Sequence, residues 1–227
     1  MSVGFPSTTL TYLTTPWAAP ASSDITIMFW GYLNTRLPAA YRSFIAAEPN
    51  IILSTYTDGA TLDWGTVTYD YFGVPRAMPM VNSWFHMAVT VANYNNLQRF
   101  VQGFYNGKQF VSQYDNSAFA AFTKFTVGNW GNGTTFAAPL NGQIRDVRVW
   151  GRALEPWEIT REMTSARPFG SPQISGLLLW SPFNDDKIYD RSGNGHVWTQ
   201  VGTNIQVNGG GVQLQSFPAK PKIPFLP

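Results

Sequence analysis

Runs rich in β-branched and aromatic residues recur along the chain, separated by short groups of turn-forming residues. Examples are DITIMFWGYL at 24–33, WFHMAVTVAN at 84–93 and LNGQIRDVRVW at 140–150. Such side chains favour strands, and turn signals about every 8–12 residues are typical of a β-sandwich. The pattern predicts on the order of a dozen short strands.

One turn in this pattern is specified by its own residues. Asn106 and Gly107 lie between the two aromatic, strand-like halves of LQRFVQGFYNGKQFVSQY at 97–114. A two-residue hairpin turn needs positive φ at both central positions, which Asn and Gly adopt most easily. The pair therefore predicts a β-hairpin, and a second Asn-Gly pair at 141–142 opens another strand.

A short helix is predicted near 155–165. Pro156 suits the first helical position, where its missing N–H is not needed. Glu155 stands where a Ser, Thr or Asp cap is more usual, so the helix start is incompletely specified. The residues at helical spacing are Trp157, Thr160 and Met163 or Thr164, with Ile159 four positions before Met163.

Composition supports an all-β protein and excludes several kinds of site. The 227 residues include 20 Gly and 16 Pro, and 15% are aromatic. This length suits one sandwich whose core needs no disulfide or metal. With no Cys and two His, the chain cannot form a Cys-based zinc or redox site or a His-rich metal site. A net charge of +2 provides no basic surface for nucleic acid.

One domain is predicted over residues 1–216, with 176–216 as its C-terminal extension. Residues 217–227 contain four prolines and are expected to form an extended tail. The N-terminal residues lack the basic and apolar regions of a secretory signal peptide. No apolar run reaches the roughly 18 residues of a membrane span, so neither secretion by that signal nor membrane insertion is expected.

A series of short motifs between residues 24 and 163 resembles the laminin G-like branch of the concanavalin A-like lectin/glucanase superfamily. The residues that carry the resemblance are Trp84, His86, Ala88, Tyr105, Asn106, Gly107, Lys108, Gly128, Asn129, Gly142, Ile144, Asp146, Val147, Arg148, Val149, Arg152, Ala153, Leu154, Glu158 and Ile159. The resemblance implies an all-β, two-sheet antiparallel jelly-roll sandwich. It does not imply an activity, because this fold carries lectins, adhesins, structural proteins and glucanases.

The segment GLLLWSPFNDDKIYDRSGNG at 176–195 follows the predicted helix. This order is similar to that of bacteriophage and prophage members of the superfamily. With no cysteine and no signal peptide, it predicts a non-catalytic structural or binding module on a virion surface, either a capsid decoration or a tail-associated protein, made in the host cytoplasm. Its expected partners are neighbouring virion proteins or its own copies, and a cell-surface glycan. The alternative is a carbohydrate-binding adhesin for host attachment, and a glycoside hydrolase is the minor alternative.

The charged residues of the predicted helix are the only candidate catalytic acids. Glu155, Glu158 and Glu162 would have to act as the pair of carboxylates that glycoside hydrolysis needs. Acids on a short surface helix usually face solvent, and acids in its first turn favour the helix dipole. Glucanases of the superfamily carry a Glu-x-Asp-x-x-Glu run, which this chain lacks. We therefore expect no catalytic residues.

Metal ligation and base chemistry have weak support in the sequence. Asp146 and Arg148 are two apart on a predicted strand and share a face, which favours a structural pair. Asp146 and Asp63 are the alternative calcium ligands, but one Asp on a strand falls short of the six to eight oxygens that calcium takes. No cofactor is expected, with calcium left open, and His86 is expected to be a core histidine with its hydrogen bonds satisfied.

Sugar binding needs aromatic faces for stacking and nearby amides or carboxylates for the hydroxyls, and loops present such groups well. The first candidate site is Trp130 in the loop GNWGNG at 128–133, with Asn129 and Asn132 beside it. Further candidates are Trp64, and Tyr94 with Asn95. A place in the core or in a subunit interface is the competing interpretation for these aromatics.

Overall fold

The computed structural model of the chain describes residues 2–5, 11–19, 24–35, 42–49, 51–55, 62–65, 81–95, 98–116, 120–129, 139–166, 176–183, 187–202, 205–207, 210–211 and 213–214. Within these ranges the chain forms two large antiparallel sheets, packed face to face, and one short helix. The predicted all-β jelly-roll sandwich is confirmed. None of the helical structure in these ranges is long and apolar enough to cross a membrane.

Sheet A has nine strands. In spatial order eight of them are β16 (Gly210–Gly211), β15 (Gln206–Val207), β1 (Val3–Phe5), β11 (Gly142–Trp150), β3 (Ile25–Leu33), β7 (Trp84–Asn95), β8 (Gln98–Tyr105) and β9 (Lys108–Asp115). The ninth, β12 (Leu177–Ser181), pairs with the second half of β11, whereas β1 pairs with its first half.

Sheet B has six strands. Their spatial order is β14 (Thr199–Val201), β2 (Tyr12–Ala19), β10 (Phe122–Val127), β4 (Arg42–Glu48), β5 (Ile51–Thr55) and β6 (Leu62–Gly65). A separate parallel pair joins β13 (Lys187–Ile188) to β17 (Gln213–Leu214). The segment after the helix thus adds β12, β15 and β16 to sheet A and β14 to sheet B.

The main core lies between the sheets and is built from alternate residues of each strand. Phe29 and Phe85 from sheet A meet Phe44 from sheet B, with ring centroids 5.5 and 5.4 Å from Phe44. All three side chains are buried. Trp198, which precedes β14, also enters this core and donates its indole N–H to Ser181 at 2.8 Å.

A second, smaller core lies on the outer face of sheet A, beneath helix α1 (Pro156–Thr164). Met28, Ala88, Phe104 and Trp150 form its floor, and Leu154 and Ile159 are among the residues that complete it. A nine-residue helix is marginal in isolation, so this contact supplies much of its stability. The predicted stripe that began at Trp157 is wrong, because Trp157 is 60% exposed.

The hairpin predicted at Asn106-Gly107 is confirmed. Both residues have positive φ, at 48° and 76°, and Tyr105 pairs with Lys108 across the turn. The side chain of Met163 in α1 approaches Gly107, where a Cβ would lie 3.2 Å from the Met163 methyl carbon. The hairpin turn therefore supports the C-terminal end of the helix.

Arg148 joins sheet A to the C-terminal end of the helix. Its guanidinium is 1% exposed and donates to both carboxylate oxygens of Asp146, at 2.9 and 2.7 Å. It also donates to the carboxylate and the carbonyl of Glu162, both at 2.9 Å, and to the Ser165 carbonyl at 2.6 Å. All five N–H groups are thereby used. The predicted structural pair of Asp146 and Arg148 is confirmed.

A second ion pair holds the start of the helix. Arg152 donates to both carboxylate oxygens of Glu158, at 2.8 and 2.7 Å, and Glu158 also accepts the Glu155 backbone N–H at 3.0 Å. This reciprocal contact supplies the cap that the sequence left incompletely specified. The expectation that the helix acids face solvent is wrong for Glu158 and Glu162, which are both buried.

Candidate functional site

Only some of the residues predicted to bind a glycan lie among the residues that the structure describes. Trp130 and Asn132 lie outside the described residues. Trp64 lies on β6 opposite the core residue Leu53, but its side chain is also outside the description. Asn129 is 2% exposed, so the expectation that it lies on an accessible rim is wrong.

The two weak metal candidates are not brought together in the described structure. Both oxygens of the Asp146 carboxylate bind Arg148, and one also accepts the indole N–H of Trp180 at 3.0 Å. Asp63 lies opposite Ser54 on β6 of sheet B, and its side chain is outside the description. The described ranges contain no group of three or more His, Asp or Glu side chains suited to a metal ion.

His86 is buried, as expected, but it lies on the outer face of sheet A and its hydrogen bonding differs from the expectation. The ring is 1% exposed and meets Trp30 edge-on at 5.3 Å. Within the described part of the chain, its Nδ1 has no hydrogen-bond partner. Burial, reinforced by the charge of Arg148, lowers the pKa of His86 to about 3. The imidazole is therefore neutral at physiological pH.

Tyr94 is the predicted glycan ligand that the structure places at an accessible surface. It lies near the end of β7 and is 62% exposed. Tyr114 on β9, which the sequence analysis did not single out, is 51% exposed and meets Tyr94 edge-on at 4.8 Å. Phe100 on β8 lies 5.1 Å from Tyr114. We call these three aromatic residues the tyrosine site.

The register of three strands brings the tyrosine site together. Phe100 is paired with Ala92 on one side and with Tyr114 on the other, so these residues share the outer face of sheet A. A β-bulge places an extra residue, Phe110, between the turn and Tyr114. Without this residue the Asn-Gly hairpin would pair Phe100 with Gln113 and turn Tyr114 toward the core.

Amide side chains flank the aromatic rings. Gln98 and Asn116 lie two positions beyond Phe100 and Tyr114, respectively, and the Gln98 amide donates to Asn116 at 2.9 Å. Asn95, another predicted ligand, pairs with Gln98 in the backbone register, but its side chain lies outside the described structure. Amides both donate and accept hydrogen bonds, which suits the hydroxyl groups of a sugar.

The Tyr114 hydroxyl keeps its proton at neutral pH. Partial desolvation, and then the neighbouring Tyr94, raise the pKa of Tyr114 above its ordinary value. A protonated phenol donates one hydrogen bond and accepts others. The tyrosine site thus combines open aromatic surface with neutral hydroxyl and amide groups.

Residues 7–160 match the concanavalin A-like lectin/glucanase superfamily, and the chain belongs to it. No functionally curated protein is similar enough to the chain to count as a relative by sequence. The family assignment agrees with the resemblance carried by the motifs of strands β7, β8 and β11.

Two solved structures show how widely the fold is shared. A candidate carbohydrate-binding protein from Bacteroides ovatus has a TM-score of 0.67 and 16% identity, over 93% of this chain and 61% of that chain. A heptameric SAP-like pentraxin from Limulus polyphemus has a TM-score of 0.56 and 19% identity, over 77% of this chain and 87% of that chain. The present chain therefore spans 61% of the length of the Bacteroides ovatus protein.

Proposed function

We propose that the protein is a non-catalytic module that binds a glycan at the tyrosine site. The observation that carries this proposal is the contact between Tyr94 and Tyr114, both more than half exposed and flanked by Gln98 and Asn116. Large aromatic residues that remain exposed together mark an interaction surface. Three paired strands hold these rings, so little side-chain freedom is lost when a ligand binds.

A neutral sugar ring fits the chemistry of this site. Its C–H face would pack on the open face of a tyrosine ring, and its hydroxyls would bind the phenol and amide groups. The residues that form the site carry no charge, so recognition by these residues would rest on stacking and neutral hydrogen bonds. The similarity to a candidate carbohydrate-binding protein supports the proposal at the level of the fold.

The non-catalytic part of the proposal is supported by the state of the helix acids. Glu158 is held by both terminal nitrogens of Arg152, which lowers the pKa of its carboxyl. Glu162 is buried against Arg148. A glycosidase needs two carboxyl groups that face the substrate, whereas both of these carboxylates are buried in ion pairs with arginines.

The test is glycan binding by the intact chain and by a Tyr94→Ala/Tyr114→Ala double variant. We expect the wild-type protein to bind neutral oligosaccharides on a glycan array and the double variant to bind at least about tenfold more weakly, or about 1.4 kcal/mol. Trp157→Ala is the matched control, because it removes an equally exposed aromatic from the helix. Equal binding by all three proteins would exclude the tyrosine site.

We further propose that the module is displayed on a virion surface, assembled with neighbouring virion proteins or its own copies. The support is the order of segments, in which strands β12 to β14 follow helix α1. We also expect no resident metal. Binding of calcium to the chelator-treated protein, measured by calorimetry, would contradict that expectation. The virion setting would be ruled out if mass spectrometry of purified virus particles did not detect the protein.

A further inference from the structure

A second aromatic surface lies on the outer face of sheet A. It is next to the small core beneath helix α1, further along strands β3, β7 and β11. It consists of Trp30 and Tyr32 on β3, Trp84 on β7 and Arg145 on β11. Tyr32 pairs with Trp84, and Arg145 pairs with Trp30, which places all four side chains on one face. We call this surface the arginine site.

The Arg145 guanidinium lies over two indole rings. Its central carbon is 4.3 Å from the ring centroid of Trp84 and 5.4 Å from that of Trp30. Contacts of this kind hold a planar cation by its face and leave its N–H groups directed outward from the stack. Tyr32, 5.5 Å from Trp84, extends the aromatic surface beside the cation.

The charge of Arg145 is not neutralised within the described structure. No described carboxylate lies within 4.0 Å of its guanidinium, and the adjacent Asp146 is engaged by Arg148 and Trp180. Arg148 and Arg152 on the same strand and its extension each bind a carboxylate with two nitrogens. Arg145 is therefore the arginine of this segment with hydrogen-bonding capacity left for an external anion.

Amide groups complete the polar part of the arginine site. Gln143 pairs with Tyr32 on the same face, and its side-chain oxygen accepts a hydrogen bond from Ser2 at 2.5 Å. The Tyr32 hydroxyl donates to Asn82 at 3.4 Å. Because both amide oxygens already accept a hydrogen bond, the N–H groups are what these amides would offer to a ligand.

We propose that the arginine site binds a carboxylate-bearing sugar. A guanidinium binds the planar carboxylate through two parallel N–H groups, while Tyr32 and the edge of Trp84 contact the sugar ring. This inference rests on the proposed function only in taking a glycan as the ligand, because it uses none of the same side chains. Tyr94 lies ten positions after Trp84 on β7, or about 33 Å along the strand, so the two sites bind separately.

The test compares acidic sugars with their neutral methyl esters, because esterification removes the charge and leaves the ring. The probes are oligogalacturonate, a hyaluronan oligomer and sialyllactose, titrated calorimetrically at low salt. We expect at least one acid to bind about tenfold or more tightly than its ester, and Arg145→Gln to abolish that preference. Arg145→Lys should restore it only in part, because an ammonium lacks the paired N–H groups.

Arg191→Gln is the matched control, since Arg191 also lies over aromatic rings, at 4.6 Å from Tyr189 and 5.9 Å from Trp180. It should keep the preference for the acid. The inference is overturned if the wild-type protein prefers no acid over its ester, or if Arg145→Gln keeps the preference. Equal binding of a sulfated neutral sugar would also overturn it, because that result would indicate attraction by charge alone.

The two proposals fail separately. If the double variant of Tyr94 and Tyr114 loses neutral glycans while Arg145→Gln changes nothing, only the arginine site is refuted. If the acid preference depends on Arg145 while the tyrosine variant binds neutral glycans normally, only the tyrosine site is refuted. Circular dichroism of each variant checks that the sandwich remains folded.

Discussion

Replacing Arg148 with Met tests the energetic role of the buried charges. The substitution keeps most of the apolar volume but removes five hydrogen bonds. It leaves the Glu162 carboxylate, 3% exposed, without its closest cation, and Asp146, 21% exposed, with the Trp180 bond. Removing one partner of a buried ion pair costs about 3–5 kcal/mol. We therefore expect a loss of about 4 kcal/mol in the free energy of unfolding.

Urea unfolding followed by tryptophan fluorescence measures this loss, and thermal unfolding should show a Tm lower by roughly 8–16 °C. Lys124→Met is the control. The Lys124 ion pair with Glu48 spans 3.0 Å, but the lysine is 31% exposed, so its removal should cost less than about 1 kcal/mol.

A second variant isolates the cause. Adding Glu162→Gln to Arg148→Met neutralises the stranded charge and should recover a substantial part of the lost stability. Two results would refute the reasoning. One is an Arg148→Met protein that unfolds at the same urea concentration as the Lys124→Met control. The other is a double variant no more stable than Arg148→Met alone.

Two further predictions concern residues of sheet A. The pKa of His86 is about 3 in the folded protein against 6.5 when exposed. The stability that the buried neutral imidazole contributes is therefore present in full above pH 6.5. It is lost as the pH falls toward 3, because the unfolded chain then binds a proton that the folded protein does not. Stability should drop by about 1.4 kcal/mol per pH unit in that window, and His86→Phe should flatten the urea midpoints between pH 6 and pH 4 (about the accessible range). Gly103→Ala would place a Cβ 2.5 Å from Val111. It should cost about 1–3 kcal/mol and weaken glycan binding at the tyrosine site, and wild-type stability would contradict the packing argument.

Local features of the fold were predictable from the sequence because they depend on neighbouring residues. Asn106 and Gly107 specify their turn through their own φ preferences, and Pro156 marks the first helical residue. The β-branched and aromatic runs correspond to strands such as β3 and β7 for the same reason. The motif series around β11 identified the family, although it carried no information about a ligand.

The site depended on contacts between distant residues. Tyr94 was predicted as an exposed aromatic, but its partner Tyr114 was not, because the bulge at Phe110 reverses the face that the hairpin turn alone would assign to it. Sequence spacing carries no direct signal for such a bulge. The residue in the sequence that is related to the bulge is Gly103, because Val111 and Phe110 leave no room there for a Cβ.

The sequence by itself determined the strand pattern, the Asn106-Gly107 hairpin, the short helix and the family. Only the tertiary structure decided where the charges and the exposed aromatics lie. Arg148 meets Glu162 fourteen residues away because the helix folds back onto the sheet, so acids expected in solvent become buried ion pairs. The same folding leaves Arg145 stacked on Trp84 and Trp30 without a described acid. Burial and pairing are properties of the packed molecule, which no local pattern specifies.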